Sequence, residues 1–151
     1  MGLTESINTN NSLKITGNAN NINESVNYTA NTGVGVVSVA NTSLNGTGTL
    51  TDILVTAATA NSVGTLVKKV IIKASTSATR GMVRLFVYDG TNTRLIEEFE
   101  VSGVVQNNIQ ACFEVSYDVD WSFGPGITIR ASTENAERFI VAIEALDLIY
   151  P

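Results

Sequence analysis

Glu97, Glu98 and Glu100 crowd one short stretch of this chain, and Asp118 and Asp120 flank Val119 further on. Paired carboxylates hydrolyse glycosides when a cleft holds them at a defined separation. Glu98 and Glu100 share a strand face because side chains alternate with period two, but neighbours on one exposed strand do not build a cleft. Solvated surface charge is the weightier reading, and such charge also keeps a strand edge from pairing wrongly. Asp118 and Asp120 are hard oxygen ligands of the kind calcium takes, yet they lack EF-hand spacing. The chain contains no histidine, which removes the usual general base, the Ser-His-Asp arrangement and the commonest zinc ligand. Cys112, the single cysteine, has no His partner and reads as a structural residue. The glycines of Gly33-Val34-Gly35 and Asn45-Gly46-Thr47-Gly48 precede no helix and no Lys-Ser/Thr signal, so they form no phosphate loop. These residues predict a non-enzyme, with no catalytic residues, no metal site and no cofactor.

Trp121 and Phe123, beside Gly124-Pro125-Gly126, have a different chemistry. Aromatics at such a turn stack on a sugar, anchor a partner, or cap the end of a sandwich. Capping is the favoured reading. A carbohydrate-binding module with weak glycan affinity, using Trp121, Phe123 and Tyr88, stands as an alternative.

The elements that position these residues are strands. In Leu66–Ala74, alternation places Leu66, Val70, Ile72 and Ala74 on one face and Lys69 and Lys73 on the other. Val83, Leu85 and Val87 alternate toward Asp89-Gly90, a tight-turn signal, and Leu95, Phe99 and Val101 alternate on the return. Ala111, Phe113, Val115 and Tyr117 form a further set, opposed by Cys112, Glu114, Ser116 and Asp118. Ile127–Arg130 and Phe139–Ala145 complete the pattern. Ala131–Arg138 holds at most a short turn of helix. Short strands at about ten-residue spacing predict an all-β chain, an antiparallel β-sandwich or jelly-roll-like single domain over residues 48–151. A connection as long as Ser102–Gln110 suits strands that cross between two sheets.

Residues 1–47 differ in composition. They are rich in Asn and Thr and carry only Glu5, Lys14 and Glu24 for charge. Ordering backbone costs about 1–2 kcal/mol per residue, and the apolar residues here are too sparse to build a core alone. The expectation is a partly extended N-terminal arm with strand-like pieces at Ser12–Ile15, Val26–Tyr28 and Val34–Val39. Such an arm orders against a neighbour by pairing backbone with an exposed strand. Asn8, Asn10, Leu13, Ile15, Val26 and Tyr28 are therefore the candidate partner-binding residues, with Trp121 and Phe123 as a second set.

The totals limit the partners. A net charge of −5 with nine basic residues argues against nucleic acid, whose phosphates are bound through Lys and Arg. No basic segment followed by an apolar run opens the chain, and no apolar stretch is long enough to cross a bilayer, so neither a signal peptide nor a membrane partner is expected. The opening Met-Gly-x-x-x-Ser matches a myristoylation pattern too short to carry weight. Five Asn-x-Ser/Thr sequons, from Asn10 to Asn45, follow from the Asn- and Thr-rich composition. A single cysteine fits folding in a reducing compartment.

Gly64–Val70, Gly81–Gly90 and Arg94–Ile96, followed by Ile127–Glu137 in the same order, resemble small structural proteins of tailed bacteriophages. The likeness spans about Leu50 to Tyr150 and is closest to auxiliary capsid proteins of crAss-like phages. The Asn-rich first third has no counterpart in it. The resemblance implies a non-catalytic β-sandwich that attaches to the capsid surface as an auxiliary capsid or decoration protein. It implies the major capsid protein or other virion proteins as partners, many copies or a homo-oligomer on the particle, and a virion location after assembly in the bacterial cytoplasm. A head-fibre, collar or tail-associated protein is the alternative within the same class.

Overall fold

The computed structural model describes residues 4–7, 12–16 and 23–150, with side chains described from residue 27 onward. It is an antiparallel β-sandwich with no helix among the described residues. The chain order is β1 (Thr4–Ile7), β2 (Ser12–Thr16), β3 (Asn23–Val37), β4 (Thr51–Val55) and β5 (Ser62–Ala74), then β6 (Gly81–Tyr88), β7 (Thr93–Val101), β8 (Glu114–Phe123), β9 (Thr128–Thr133) and β10 (Phe139–Ile149). One sheet has the order β1-β2-β3-β10-β5-β8 and the other β4-β9-β6-β7. The long connection after Val101 crosses from the smaller sheet to the larger, as its length predicts.

The core lies between the sheets and follows the sequence alternation except in β5. There a register shift between Val67 and Lys69 turns Val67 inward and Leu66, expected on the core face, outward. Val67, Val70, Ile72 and Ala74 of β5 meet Phe139, Val141, Ile143 and Ala145 of β10 on one wall. Val83 and Leu85 of β6, Phe99 and Val101 of β7, and Ile129 and Ala131 of β9 form the facing wall. Each such side chain stabilises the fold by roughly 1.5–3 kcal/mol when fully buried. Asp147 ends the β10 row and is buried too. Its Oδ1 accepts from the Thr65 hydroxyl at 2.6 Å and the Asn31 amide at 3.1 Å.

The Asn-rich first third divides into parts. From Asn27 to Val37, β3 pairs with the whole of β10, so the sandwich sheet begins before residue 47. Gly33 and Gly35 explain why this strand can run so close to β4. A Cβ on Gly33 would lie 2.0 Å from the Ile53 carbonyl oxygen, and one on Gly35 would lie 2.5 Å from Ile53 Cδ1. The two strands close one side of the sandwich, helped by the Asn31 amide donating to the Val55 carbonyl at 3.1 Å. After β3, Ala40 bridges Thr133, and the loop that follows is folded around Asn41. The Asn41 amide donates to the carbonyls of Thr47 and Thr49, both at 2.9 Å, while its own N–H bonds to the Thr133 carbonyl. Gly46, with a positive φ, brings the loop against the side chain of Thr93, so the loop spans from β9 to β7 over the outside of the smaller sheet.

Four local expectations are corrected. A register shift in β7 puts Leu95 opposite Phe86 and sends it to the face away from Phe99 and Val101, while Ile96 packs toward the core. Cys112 precedes β8 instead of lying on its polar face, and it is half-buried against the core. Residues 131–133 belong to β9, 134–136 form bends and 137–138 are irregular, with no helical turn. Arg84, which the alternation of Val83, Leu85 and Val87 turns away from the core, is nonetheless buried.

Candidate attachment site

The carboxylates that could do chemistry are occupied by cations on the outside of the sandwich. Asp120 meets Lys68 at 2.6 Å and Glu114 meets Lys73 at 3.0 Å, pairing β8 with β5. Asp118 lies 3.9 Å from Lys69. Glu100 pairs with Arg80 at 3.3 Å. Glu98 accepts from Arg84 Nε at 3.0 Å, and Glu134 accepts from Arg84 Nη2 at 2.6 Å. A shallow depression of about 220 Å³ runs beside Leu95–Glu98, and of its two carboxylates Glu98 is committed to Arg84 while Glu97 accepts from the Glu98 N–H at 3.1 Å. Among the described residues no three metal-ligating side chains converge.

Arg84 is buried by its setting. It projects from the outer face of β6 between Ser132 of β9 and Glu98 of β7, next to Phe86. Phe86 is fully buried although it lies on the opposite side of β6 from Leu85, because the Asn41-centred loop crosses this face. Arg130, beside Phe86, sits 3.9 Å over the Tyr88 ring and donates to Asp52 at 2.7 Å. This side of the molecule is therefore closed by the chain itself.

Trp121 and Phe123 are half-buried and pack against the core from the end of β8. Phe123 also lines a groove of about 390 Å³ with Val63, Gly64, Gly124 and Leu148. Trp121 is not among the groove's lining residues.

The other set of expected partner-binding residues lies along the N-terminal strands. Asn8 and Asn10 fall outside the described residues. Leu13 of β2 is paired with Val26 of β3, and Ile15 with Glu24. Tyr28 stands just past the hand-over and pairs with Leu148. Asn27 is the pivot: it is the last β3 residue paired with β2, through Ser12, and the first paired with β10, through Ile149. β1, β2 and the start of β3 therefore make a three-stranded ribbon that continues the larger sheet past the end of β10, with β1 as its outermost strand.

The outer face of the larger sheet carries a surface that was not expected. Val34 is 66% exposed and Val36 41%, on the side of β3 turned away from the core. In register beside them stand Ala142 and Ile140 of β10, then Ile71 of β5. Past a polar row, Leu146 and Leu66 continue the apolar surface. The signal was present in the sequence, because Phe139–Ile143 is apolar at odd and even positions alike. A strand with that pattern expects cover on both sides. No family model matches the chain, and no curated protein matches it in sequence.

Proposed function

We propose that this chain is a non-catalytic structural protein of a tailed-bacteriophage particle, attached to the capsid exterior as an auxiliary or decoration protein. The likeness of Leu50–Tyr150 to such proteins suggests the class. The observation that carries the attachment is the ribbon of β1, β2 and the start of β3, which extends the sheet beyond the core and ends in a terminal strand. A terminal strand has backbone N–H and C=O groups directed along the sheet plane, and another chain can add a strand to them. The partner is the major capsid protein or a neighbouring virion protein with an exposed strand, and the copies are many. Catalysis has no part in this role: Asp118, Asp120, Glu98, Glu100 and Glu114 all serve in ion pairs.

Deleting residues 1–22 tests the assignment, because it removes β1 and β2 and leaves the whole β3–β10 pairing in place. The truncated chain should fold and melt cooperatively, but it should be missing from purified particles by quantitative mass spectrometry. Full incorporation of the truncated chain would reject the ribbon as the anchor. Absence of the intact chain from particles would reject the virion role.

A further inference from the structure

We infer that the outer face of the six-stranded sheet is a two-fold interface with a second copy of this chain, β10 of each copy lying over β5 of the other. The inference stands apart from the virion role, since it rests on this face alone. Across β10 and β5 the face has apolar pairs on both sides of the Glu144–Lys69 row, with Ile140 beside Lys73 at one end and the acidic outer row of β8 (Glu114, Asp118, Asp120) along the flank. On one side Val34, Ala142 and Ile71 lie in register across β3, β10 and β5, and on the other Leu146 lies beside Leu66. Between them run Glu144 and Lys69, which are cross-strand partners. Their charges do not meet: Lys69 turns toward Asp118 at 3.9 Å, and Glu144, exposed, makes no ion pair among the described residues.

A second copy satisfies this arrangement by symmetry. A two-fold axis in the interface, parallel to the strands and passing between β10 and β5, places Glu144 against the partner's Lys69 and Lys69 against the partner's Glu144. The same operation sets Ala142 over the partner's Ile71 and Leu146 over the partner's Leu66. These apolar pairs meet apolar pairs and the Glu144–Lys69 row meets its complement twice, as an isologous contact requires, while Ile140 lies over the aliphatic stem of the partner's Lys73. Complementary charge within such a contact fixes register and excludes wrong partners. The extent is adequate as well. Strands about 4.8 Å apart, with same-face residues about 6.8 Å apart, give each outward position about 33 Å². The axis sets β3 over the partner's β8, so five such positions on each of β3, β10, β5 and β8 project about 660 Å², within the roughly 600–800 Å² a specific interface takes from each partner.

Sedimentation equilibrium of the full-length chain, at micromolar concentration and physiological salt, tests the interface. The wild type should be a dimer. Glu144→Lys sets lysine against lysine twice and should raise the dimer dissociation constant at least about tenfold. The double exchange Glu144→Lys with Lys69→Glu restores the complement and should recover the dimer, which a general loss of folding would not allow. Ala142→Arg, at a half-exposed position, should give a monomer with an unchanged far-ultraviolet spectrum. A wild type that is monomeric or trimeric would overturn the inference. So would a dimer indifferent to Glu144→Lys and Ala142→Arg, which would place the contact elsewhere, or a double exchange that fails to recover it.

Discussion

The two sheets finish their outer faces in opposite ways. The smaller sheet covers its own: Phe86, Arg84 and Ser132 are buried there, beneath a loop that Asn41 folds and Gly46 seats on Thr93. The larger sheet leaves Val34 and Val36 in solvent beside half-exposed Ala142, Ile140 and Ile71. The loop between β3 and β4 closes one outer face, and no segment among the described residues does the same for the other. That difference is the premise of the two-fold interface proposed above.

The comparison breaks most visibly at its covered end. Phe86→Ala should cost about 3–5 kcal/mol in urea unfolding, as buried aromatic truncations do. Val34→Ala, its counterpart on the bare face, should stay within about 0.5 kcal/mol in the monomer. A small loss at Phe86 would mean that the loop does not seal the smaller sheet. Next in size is Gly33→Ala. The added carbon would sit 2.0 Å from a backbone oxygen of β4, so strands must separate, and overpacking of this kind costs about 1–3 kcal/mol or more. Circular dichroism melts on the purified variant read it directly.

These positions also show what was legible in the sequence. β6, β9 and β10 were readable because every second residue is apolar along most of their length and their turns carry Asp89-Gly90 or Gly-Pro-Gly, and β5 was readable apart from the shift that exchanges Leu66 and Val67. β3 was readable only in pieces. Its inward positions include Asn31, Gly33 and Gly35, and β4 comes so close that no side chain fits at the two glycines. The hydrophobic signal is weak there for a packing reason. Its partner β10 lies more than a hundred residues away, so no local pattern announces the pairing. The face of Leu95 was hidden by a one-residue register shift, and the burial of Arg84 by a loop that arrives from forty residues earlier. For the candidate site, Leu13, Ile15 and Val26 were visible as strand formers. The outer-face row was missed because each of its residues was assigned to a core or surface parity one strand at a time.

Asn41 sharpens the comparison further, since it organises the covering loop without being apolar. Asn41→Ala removes two donors to the carbonyls of Thr47 and Thr49 and the acceptor for the Ser43 N–H. Leaving those groups unmatched should cost about 1–3 kcal/mol. Hydrogen exchange should then rise at β6 and β9 amides beneath the loop, and stay unchanged on β10 and β5. Faster exchange on both sheets would mean that the loop supports the whole sandwich and not one face.

The smallest effect comes from the β6–β7 turn, which sets the register on which the covered face depends. The Asp89 carboxylate accepts from the N–H groups of Asn92 and Thr91 and from the Arg94 guanidinium. These partners, Asn92 first, pull its pKa from 3.8 to about 2. The unfolded chain therefore binds this proton more readily than the folded one, so the turn's contribution is complete above pH 3.8. It falls away as pH drops toward 2, where the folded carboxyl also protonates. Because the group is fully exposed, the change in global stability is slight, and the measurement belongs at the site itself. The Asp89 carboxyl carbon followed by NMR should titrate near 2, and Asp89→Asn should remove the acid dependence of Thr91 and Asn92 amide shifts while leaving amides of the bare face untouched. A midpoint near 3.8 would show that the turn does not hold its carboxylate, and that the register of the covered sheet is fixed by packing alone.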